Sequence, residues 1–157
     1  MRRKDREVTD PAIIRRTVEE SQCCRLGLCD RGRAYIVPLS FGYTVDAQGQ
    51  YTFYFHGARE GRKLDLMKQD PWASFELDTG YRIQEAEKAC GWAAAFRSVM
   101  GGGEITFLES PEDKRFGLQR IMEHLSGRAD WDFSDKAVES TCVYRLTVRE
   151  LSCKEHL

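Results

Sequence analysis

Short polar turns separate segments in which apolar and polar residues alternate, and this arrangement restricts the chain to an antiparallel architecture. Asp30 to Arg33 and Asp46 to Gly49 form two such turns, each of four residues. The segments around them are rich in β-branched and aromatic residues, as is typical of strands. Strands joined by such short turns run antiparallel, because a parallel connection needs a dozen residues or more. The sequence therefore predicts a mainly β fold, a closed or nearly closed antiparallel barrel with helices at its ends.

Periodicity and helix-capping residues define the expected elements, all within a single domain that spans residues 1–157. Strands are predicted at 24–29, 34–44, 50–56, 72–78, 91–99, 103–108 and 142–151. Helices are predicted at 10–21, 61–70 and 110–127. Residues 80–90 are expected to form a loop or an irregular strand, and residues 128–140 a loop. The glycines at 101–103 permit a sharp kink or a bulge.

The balance of charges and the cysteine spacing exclude several classes of protein. The 24 basic and 25 acidic residues leave no basic excess for broad nucleic-acid binding. No apolar run reaches transmembrane length, and no apolar segment follows the basic N-terminal residues as in a signal peptide. The six cysteines form no C-x-x-C pair, so we expect reduced thiols and no metal site. A cytoplasmic protein is predicted, and the basic cluster Arg2, Arg3, Lys4 and Arg6 is a solvated arm or a contact to a partner or cofactor.

The junction between the strand 50–56 and the next helix has the composition of an anion site. The strand ends at His56 and Gly57, and Gly61, Arg62 and Lys63 open the helix. The start of a helix has unpaired N–H groups and a partial positive charge, and two cationic side chains add to it. Such a helix start can bind phosphate. A solvated basic helix start explains the same residues, and both interpretations remain open from this segment alone.

Pro38 and His56 each have a functional and a structural interpretation. Pro38 lies within the predicted strand 34–44, and proline cannot donate to a ladder. It therefore marks an edge, a bulge, or a point where the backbone faces something other than a strand. His56 could bind an anion or donate a proton near neutral pH, or could bond the local backbone of a turn. The other histidines, His124 and His156, are predicted on a helix surface and in a frayed terminus.

Three segments, taken together, follow a known pattern. They are RAYIVPLSFGY from Arg33, YFHGA with GRKL from Tyr54 to Leu64, and the segment from Asp70 to Glu76. The opening MRRKDREVTD and the later RSVM before the glycines agree with it. This pattern resembles the flavin-binding split-barrel proteins related to pyridoxamine-phosphate oxidase, and within them the branch of the nitroimidazole-resistance (Nim) proteins. The resemblance covers most of residues 1–125.

The resemblance implies a homodimer of six-stranded antiparallel split β-barrels with flanking helices, and FMN (or FAD) bound at the subunit interface. The strand 37–40 would lie along the flavin ring, and His56 and Gly57 near the ribityl chain or phosphate. Arg62 and Lys63 would bind phosphate oxygens, and Ser98 would hold the ribityl phosphate from the other side. The implied cofactor-binding residues are Val37, Pro38, Leu39, Ser40, His56, Gly57, Arg62, Lys63 and Ser98.

Three functions are compatible with these residues. The first is a flavin-dependent oxidoreductase that reduces a small electron-poor substrate such as a nitroaromatic, with His56 as the candidate catalytic residue. In such an enzyme the cofactor carries the redox chemistry and the protein binds and orients it. The second is a non-catalytic flavin- or haem-binding module for sensing, storage or trafficking. The third is an interaction protein whose groove binds no nucleotide.

Overall fold

The computed structural model describes residues 3–157, so Arg2 of the basic N-terminal cluster lies outside the described residues. The strands are β1 (Glu7–Val8), β2 (Cys24–Asp30), β3 (Arg33–Leu39), β4 (Gly42–Val45), β5 (Tyr51–Gly57), β6 (Trp72–Gln84), β7 (Ala93–Leu108) and β8 (Cys142–His156). The α-helices are α1 (Pro11–Glu20), α2 (Arg62–Gln69), α3 (Pro111–Ser126) and α4 (Asp135–Ser140). Short 3-10 helices span Lys4–Arg6 and Ala89–Gly91. None of the helices in residues 3–157 is long and apolar enough to cross a membrane.

The strands form one antiparallel sheet that curls without closing. Their order is β3-β2-β6-β7-β8-β5-β4, and β1 pairs with the end of β8. The long strands β6, β7 and β8 form the centre, and β3 and β4 are the two ends of the order. This open, curled sheet with helices against it confirms the predicted mainly β split barrel. Pro38 lies in β3, which pairs with β2 alone, so the prediction of an edge position is also confirmed.

Two hydrophobic cores lie on opposite faces of β5. Phe53 and Phe55 are fully buried inside the barrel, where the ring of Phe55 stacks on that of Tyr144 at 5.6 Å between centroids. Tyr54 points the other way and packs with Ile121 of α3 in the second core. Full burial of a large apolar side chain stabilises a fold by roughly 1.5–3 kcal/mol. The two cores therefore fix the position of β5, with the barrel interior on one face and α3 on the other.

The predicted helices are present with the expected caps. Asp10 accepts a hydrogen bond from the N–H of Ala12 at 2.8 Å, and α1 begins at Pro11. Ser110 Oγ accepts from the N–H of Asp113 at 3.0 Å at the start of α3. Gly127 ends α3 in the left-handed conformation, with φ of 70°. These ends were predictable because capping depends on a few adjacent residues.

The predicted strand 34–44 is two strands, and the predicted strands 91–99 and 103–108 are one. Phe41 is fully buried, and its ring packs edge-on against Phe53, so the chain turns inward after Leu39 and resumes as β4 beside β5. In β7, a Cβ at Gly101 or Gly103 would lie 2.1 Å from a carbonyl oxygen of β8. The glycines let β8 approach closely, and pairing continues through a register shift between Gly102 and Gly103. The predicted bulge is thus confirmed.

Other differences come from pairing that the sequence pattern does not reveal. The strand predicted at 72–78 continues to Gln84, and residues 128–140 contain α4 as well as a loop. His156 belongs to β8, and its Nδ1 lies 2.7 Å from the carbonyl oxygen of Ala94, so this terminus is not frayed. The ring of His124 lies between the carbonyl oxygens of Phe41, at 2.8 Å, and Glu19, at 3.2 Å. The ring thus joins α3 to α1 and to the segment between β3 and β4, and the predicted free helix surface is wrong.

Candidate functional site

The start of α2 differs from the starts of the other α-helices. Asp10, Ser110 and Ser134 each cap a helix by accepting a hydrogen bond from its first turn. The N-cap of α2 is Gly61, which has no side chain, and no side chain of residues 3–157 replaces it. An uncapped helix start leaves N–H groups to be satisfied by water or a ligand. The start of α2 is therefore the helix end best suited to bind an anion.

Glycine at position 61 fits this role for a conformational reason. Gly61 has φ of 128° and ψ of 162°, a region that L-amino acids with a side chain rarely adopt. Its carbonyl accepts from the N–H groups of Leu64, at 2.9 Å, and Asp65, at 3.2 Å. These two hydrogen bonds close the first turn of α2, which also contains Asp65.

The ammonium group of Lys63 lies at the end of β5. A Cβ at Gly57 would lie 2.9 Å from Lys63 Nζ and 3.2 Å from its Cε, so only glycine leaves this space open. Among the described residues, no carboxylate lies within ion-pair distance of Lys63. Lys63 thus places a positive charge beside Gly57, and no acidic side chain of residues 3–157 forms an ion pair with it.

Arg62 points away from Lys63 and holds α2 to the β2–β3 hairpin. Its Nε donates to Asp30 Oδ2 at 3.1 Å and a second guanidinium nitrogen also contacts that oxygen. The guanidinium lies over the ring of Tyr35, 4.6 Å from its centroid. The hydrogen bond to Asp30 raises the pKa of Arg62. The sequence alone does not reveal either partner, because Asp30 fits a turn equally well without this contact and a contact across 32 positions leaves no local pattern.

His56 is exposed at the end of β5, on the face opposite Phe55. Surrounding protein atoms, and then the positive charge of Lys63, lower the pKa of its imidazole below the ordinary value of 6.5. The ring is therefore mostly neutral at pH 7. A bound anion beside Lys63 would oppose this shift, because it stabilises the protonated imidazole.

The strand segment 37–40 lies along the free edge of the sheet. Val37 and Leu39 are half-buried and pack on the barrel core, whereas Pro38 and Ser40 are exposed. Asp30 and Tyr35, which contact Arg62, belong to β2 and β3. These contacts place the start of α2 against the hairpin end of β2 and β3, whereas Pro38 and Leu39 pair with Arg25 and Cys24 at the other end of β3.

Ser98 lies apart from these residues. It sits on β7, opposite Asp78 of β6 and Lys154 of β8. Two strands separate β7 from β3 in the sheet, so Ser98 lies about 14 Å from that edge at the usual strand spacing. Ser98 and the segment 37–40 therefore lie on different strands, with β2 and β6 between them.

The outward face of this part of the sheet carries exposed hydrophobic residues. Ile36 is 63% exposed, Met100 48% and Trp72 41%. Trp72 lies over Gly102, where a Cβ would come within 2.9 Å of its ring. Exposed apolar groups clustered on one face are typical of a protein interface.

A cavity of about 630 Å³ lies elsewhere. It lies between α1, the turn before β5 and the bulge of β8, and none of the predicted site residues lines it. An apolar floor that includes Ile14, Val45 and Leu151 lies beneath it. Among the described residues, no group of three or more His, Cys, Asp or Glu side chains is placed to hold a metal ion.

The fold and this arrangement agree with a comparison against protein families. The family model for pyridoxamine 5'-phosphate oxidase matches residues 10–155. The chain belongs to the pyridoxamine 5'-phosphate oxidase family. The start of α2, Gly57 and the segment 37–40 all lie within the matched residues of this family member. No curated protein matches the chain.

Several solved structures share the fold of this family member. One is a proposed 5-nitroimidazole antibiotic resistance protein from Bacteroides thetaiotaomicron, 27% identical over 94% of this chain and 85% of that one, with a TM-score of 0.81. The flavocytochrome Anf3 from Azotobacter vinelandii is 19% identical over 100% and 72% of the two chains, with a TM-score of 0.82. An FAD and haem binding protein from Mycobacterium smegmatis is 15% identical over 96% and 73%, with a TM-score of 0.82. The last two show the fold alone.

Proposed function

We propose that this protein binds a flavin nucleotide, FMN or FAD, with a phosphate at the start of α2. The observation that carries the proposal is the uncapped helix start at Gly61 beside the ammonium group of Lys63. Free N–H groups, a helix dipole and a cation without an acidic partner together favour a phosphate. The solved structures of similar fold include an FAD-binding protein from Mesorhizobium loti, which supports a flavin rather than another phosphorylated ligand.

The residues on either side of the helix start have separate tasks in this proposal. Lys63 binds phosphate oxygens directly. Arg62 is held by Asp30 and by the ring of Tyr35, so it fixes α2 against β3 and contributes positive charge at longer range. Adjacent residues on a helix point about 100° apart, which accounts for this division. The resemblance implies that both cations bind phosphate. In this proposal Lys63 alone binds it directly, and Arg62 positions α2.

The flavin ring is proposed to lie along β3. The strand pairs with β2 on one side, and Pro38 has no N–H group to offer a further strand. Backbone groups on the free edge of 37–40 can therefore form hydrogen bonds with the polar edge of the ring, because no neighbouring strand pairs with them. Val37 and Leu39 anchor the segment in the core, so this edge is rigid.

The second proposal for this site is a homodimer with the cofactor at the subunit interface. The exposed face formed by Ile36, Trp72 and Met100 would pack against a second copy. That copy would then supply Ser98 to the cofactor. Light scattering at micromolar concentration tests this proposal, and a monomer would contradict it.

The proposed activity is that of an oxidoreductase that acts on a small electron-poor substrate such as a nitroaromatic. A bound flavin supplies the electron transfer. The protein binds and orients it and excludes water at the interface. The imidazole of His56 accepts a proton when it is neutral and donates one once it is protonated. The described relative from Bacteroides thetaiotaomicron carries a name that refers to nitroimidazole resistance, which supports this substrate class.

A non-catalytic flavin- or haem-binding protein is the second candidate. The flavocytochrome and the FAD and haem binding protein have this fold, which favours it. The rings of His124 and His156 already lie against backbone carbonyl oxygens, so His56 is the histidine best placed to ligate a haem iron. The absorption spectrum of the purified protein separates flavin from haem. Reduction by a nicotinamide donor, followed by oxidation by a nitroaromatic, separates an enzyme from a binding protein.

The substitution Lys63→Ala tests the phosphate site. We expect flavin binding to weaken by roughly 1.5–3 kcal/mol, the usual range for a hydrogen bond to a charged group. Lys136→Ala, which removes an exposed lysine of α4, is the matched control and should leave the affinity unchanged. Unchanged flavin affinity in Lys63→Ala, measured by fluorescence quenching, would contradict the assignment.

A further inference from the structure

A second basic pocket lies on the other side of α2. Its volume is about 340 Å³, and it is enclosed by α2, the end of β7, the start of β8 and the first turn of α3. Leu64, Phe107 and Cys142 form much of its floor. Arg59, Lys68 and Lys114 line it together with one acid, Glu109. Three cationic side chains against one carboxylate give the pocket a net charge of about +2.

The three cations are not part of surface ion pairs. Among residues 3–157, no carboxylate lies within 4.0 Å of the charged nitrogens of Arg59, Lys68 or Lys114, although ion pairs are frequent elsewhere on the surface. Lys114 is positioned by backbone instead: its Nζ donates to the carbonyl oxygens of Thr141, at 3.0 Å, and Val138, at 3.5 Å. These carbonyls fix the ammonium group without neutralising it, so the positive charge remains available to an anion.

The thiol of Cys142, which lines the pocket, is affected by the positive charges around it. Burial raises its pKa, and the charges of Lys114, Lys68, Lys63 and Arg59, in that order, oppose the increase. All four cations are therefore close enough to the Cys142 thiol to favour its thiolate form. Positive charges that converge on a partly enclosed space attract anions more strongly than the same charges dispersed in solvent.

We propose that this pocket is a second anion site, separate from the flavin phosphate site, and that it takes a small phosphate monoester. Its volume lies at the lower end of the range for ligand pockets, which suits a phosphorylated compound much smaller than a flavin nucleotide. Lys68 and Leu64 are one turn apart on the same side of α2, whereas Lys63 turns toward Gly57. The two sites thus use different faces of one helix, and the second site requires no flavin.

The test uses Cys142 as a native reporter and inorganic phosphate as the probe. The rate of alkylation of each cysteine by neutral iodoacetamide is measured by peptide mass spectrometry, at mildly alkaline pH and constant ionic strength. Phosphate is expected to slow the alkylation of Cys142 severalfold at millimolar concentration, because it covers the thiol and disfavours the thiolate. The exposed thiols of Cys29 and Cys90 serve as internal controls and should react at unchanged rates.

Two variants should weaken the protection of Cys142 by phosphate, and a third should leave it unchanged. Lys68→Ala and Arg59→Ala each remove a ligand, so the affinity for phosphate should fall by about tenfold or more. Lys88→Ala removes a lysine that does not line the pocket and is the matched control. Absence of protection in the wild-type protein, or equal slowing of all three cysteines, would overturn the proposal.

Flavin titrations separate the two sites. Lys68→Ala should bind FMN as the wild-type protein does, and Lys63→Ala should still show protection of Cys142 by phosphate. If Lys68→Ala loses FMN affinity as strongly as Lys63→Ala, the pocket belongs to the flavin site and the proposal of a separate site is wrong.

Discussion

Replacement of Gly57 by alanine should weaken flavin binding without weakening the fold. The added Cβ would lie 2.9 Å from Lys63 Nζ, closer than real Cβ contacts allow, so one of the two groups must move. The ammonium group is the far end of a flexible side chain, and it can swing away at little cost. The backbone of Gly57 has no positive φ, so alanine fits the strand and should add about 0.5–1 kcal/mol of stability.

The loss of flavin affinity should approach that of Lys63→Ala. If the displaced ammonium no longer reaches the phosphate, one charge-assisted hydrogen bond is lost, which is worth roughly 1.5–3 kcal/mol. That range corresponds to a dissociation constant about 10 to 150 times higher. Stability and affinity are thus expected to change in opposite directions, which a simple folding defect cannot produce.

A double-mutant cycle in a flavin fluorescence titration gives the decisive result. In the Lys63→Ala background, Gly57→Ala should cost no further affinity, because the group that it displaces is already gone. Urea unfolding of each variant supplies the stability measurement. Additive losses in the double variant, or full affinity in Gly57→Ala, would refute the reasoning that glycine is required to seat Lys63.

Three further outcomes follow from the structure. Gly101→Ala should destabilise the fold by several kcal/mol in urea unfolding, because its Cβ would lie 2.1 Å from the backbone oxygen of Glu150; Gly27→Ala, whose nearest contact is 3.7 Å, is the matched control and should be nearly neutral. The pKa of His56 should lie below 6.5 by NMR titration and should rise when FMN binds. Because His56 binds a proton less readily in the folded than in the unfolded state, its contribution to the free energy of unfolding should decrease as the pH falls below about 6.5. Tyr144→Phe should raise the stability by about 1 kcal/mol, since the buried hydroxyl of Tyr144 has no hydrogen-bond partner among the described residues; a lower urea midpoint would count against this.

The parts of the fold that depend on adjacent residues were predictable from the sequence. The helix starts at Asp10 and Ser110, and the end at Gly127, each follow from a few neighbouring residues. The two faces of β5 were also predictable, because its alternation is unbroken. The division at Phe41 was not, since the burial of that side chain depends on Phe53 and on α3, which are distant in sequence.

The candidate site shows the same limit. The anion character of the start of α2 was evident from Gly61 and the two cations after it. The partner of Arg62 was not, because Asp30 lies on another strand and fits its turn equally well without any such contact. The second basic pocket is not predictable from the sequence for the same reason: Arg59, Lys68 and Lys114 meet only after α2 and α3 pack at the ends of β7 and β8.

The most direct test of the flavin proposal is a comparison of FMN with riboflavin in a fluorescence titration of the wild-type protein. The two ligands share the ring and ribityl chain, so the difference in affinity isolates the phosphate. The site at Gly61 and Lys63 predicts that FMN binds at least about tenfold more tightly than riboflavin and that its fluorescence is quenched. Equal affinity for the two, or no binding of either, would contradict the central claim.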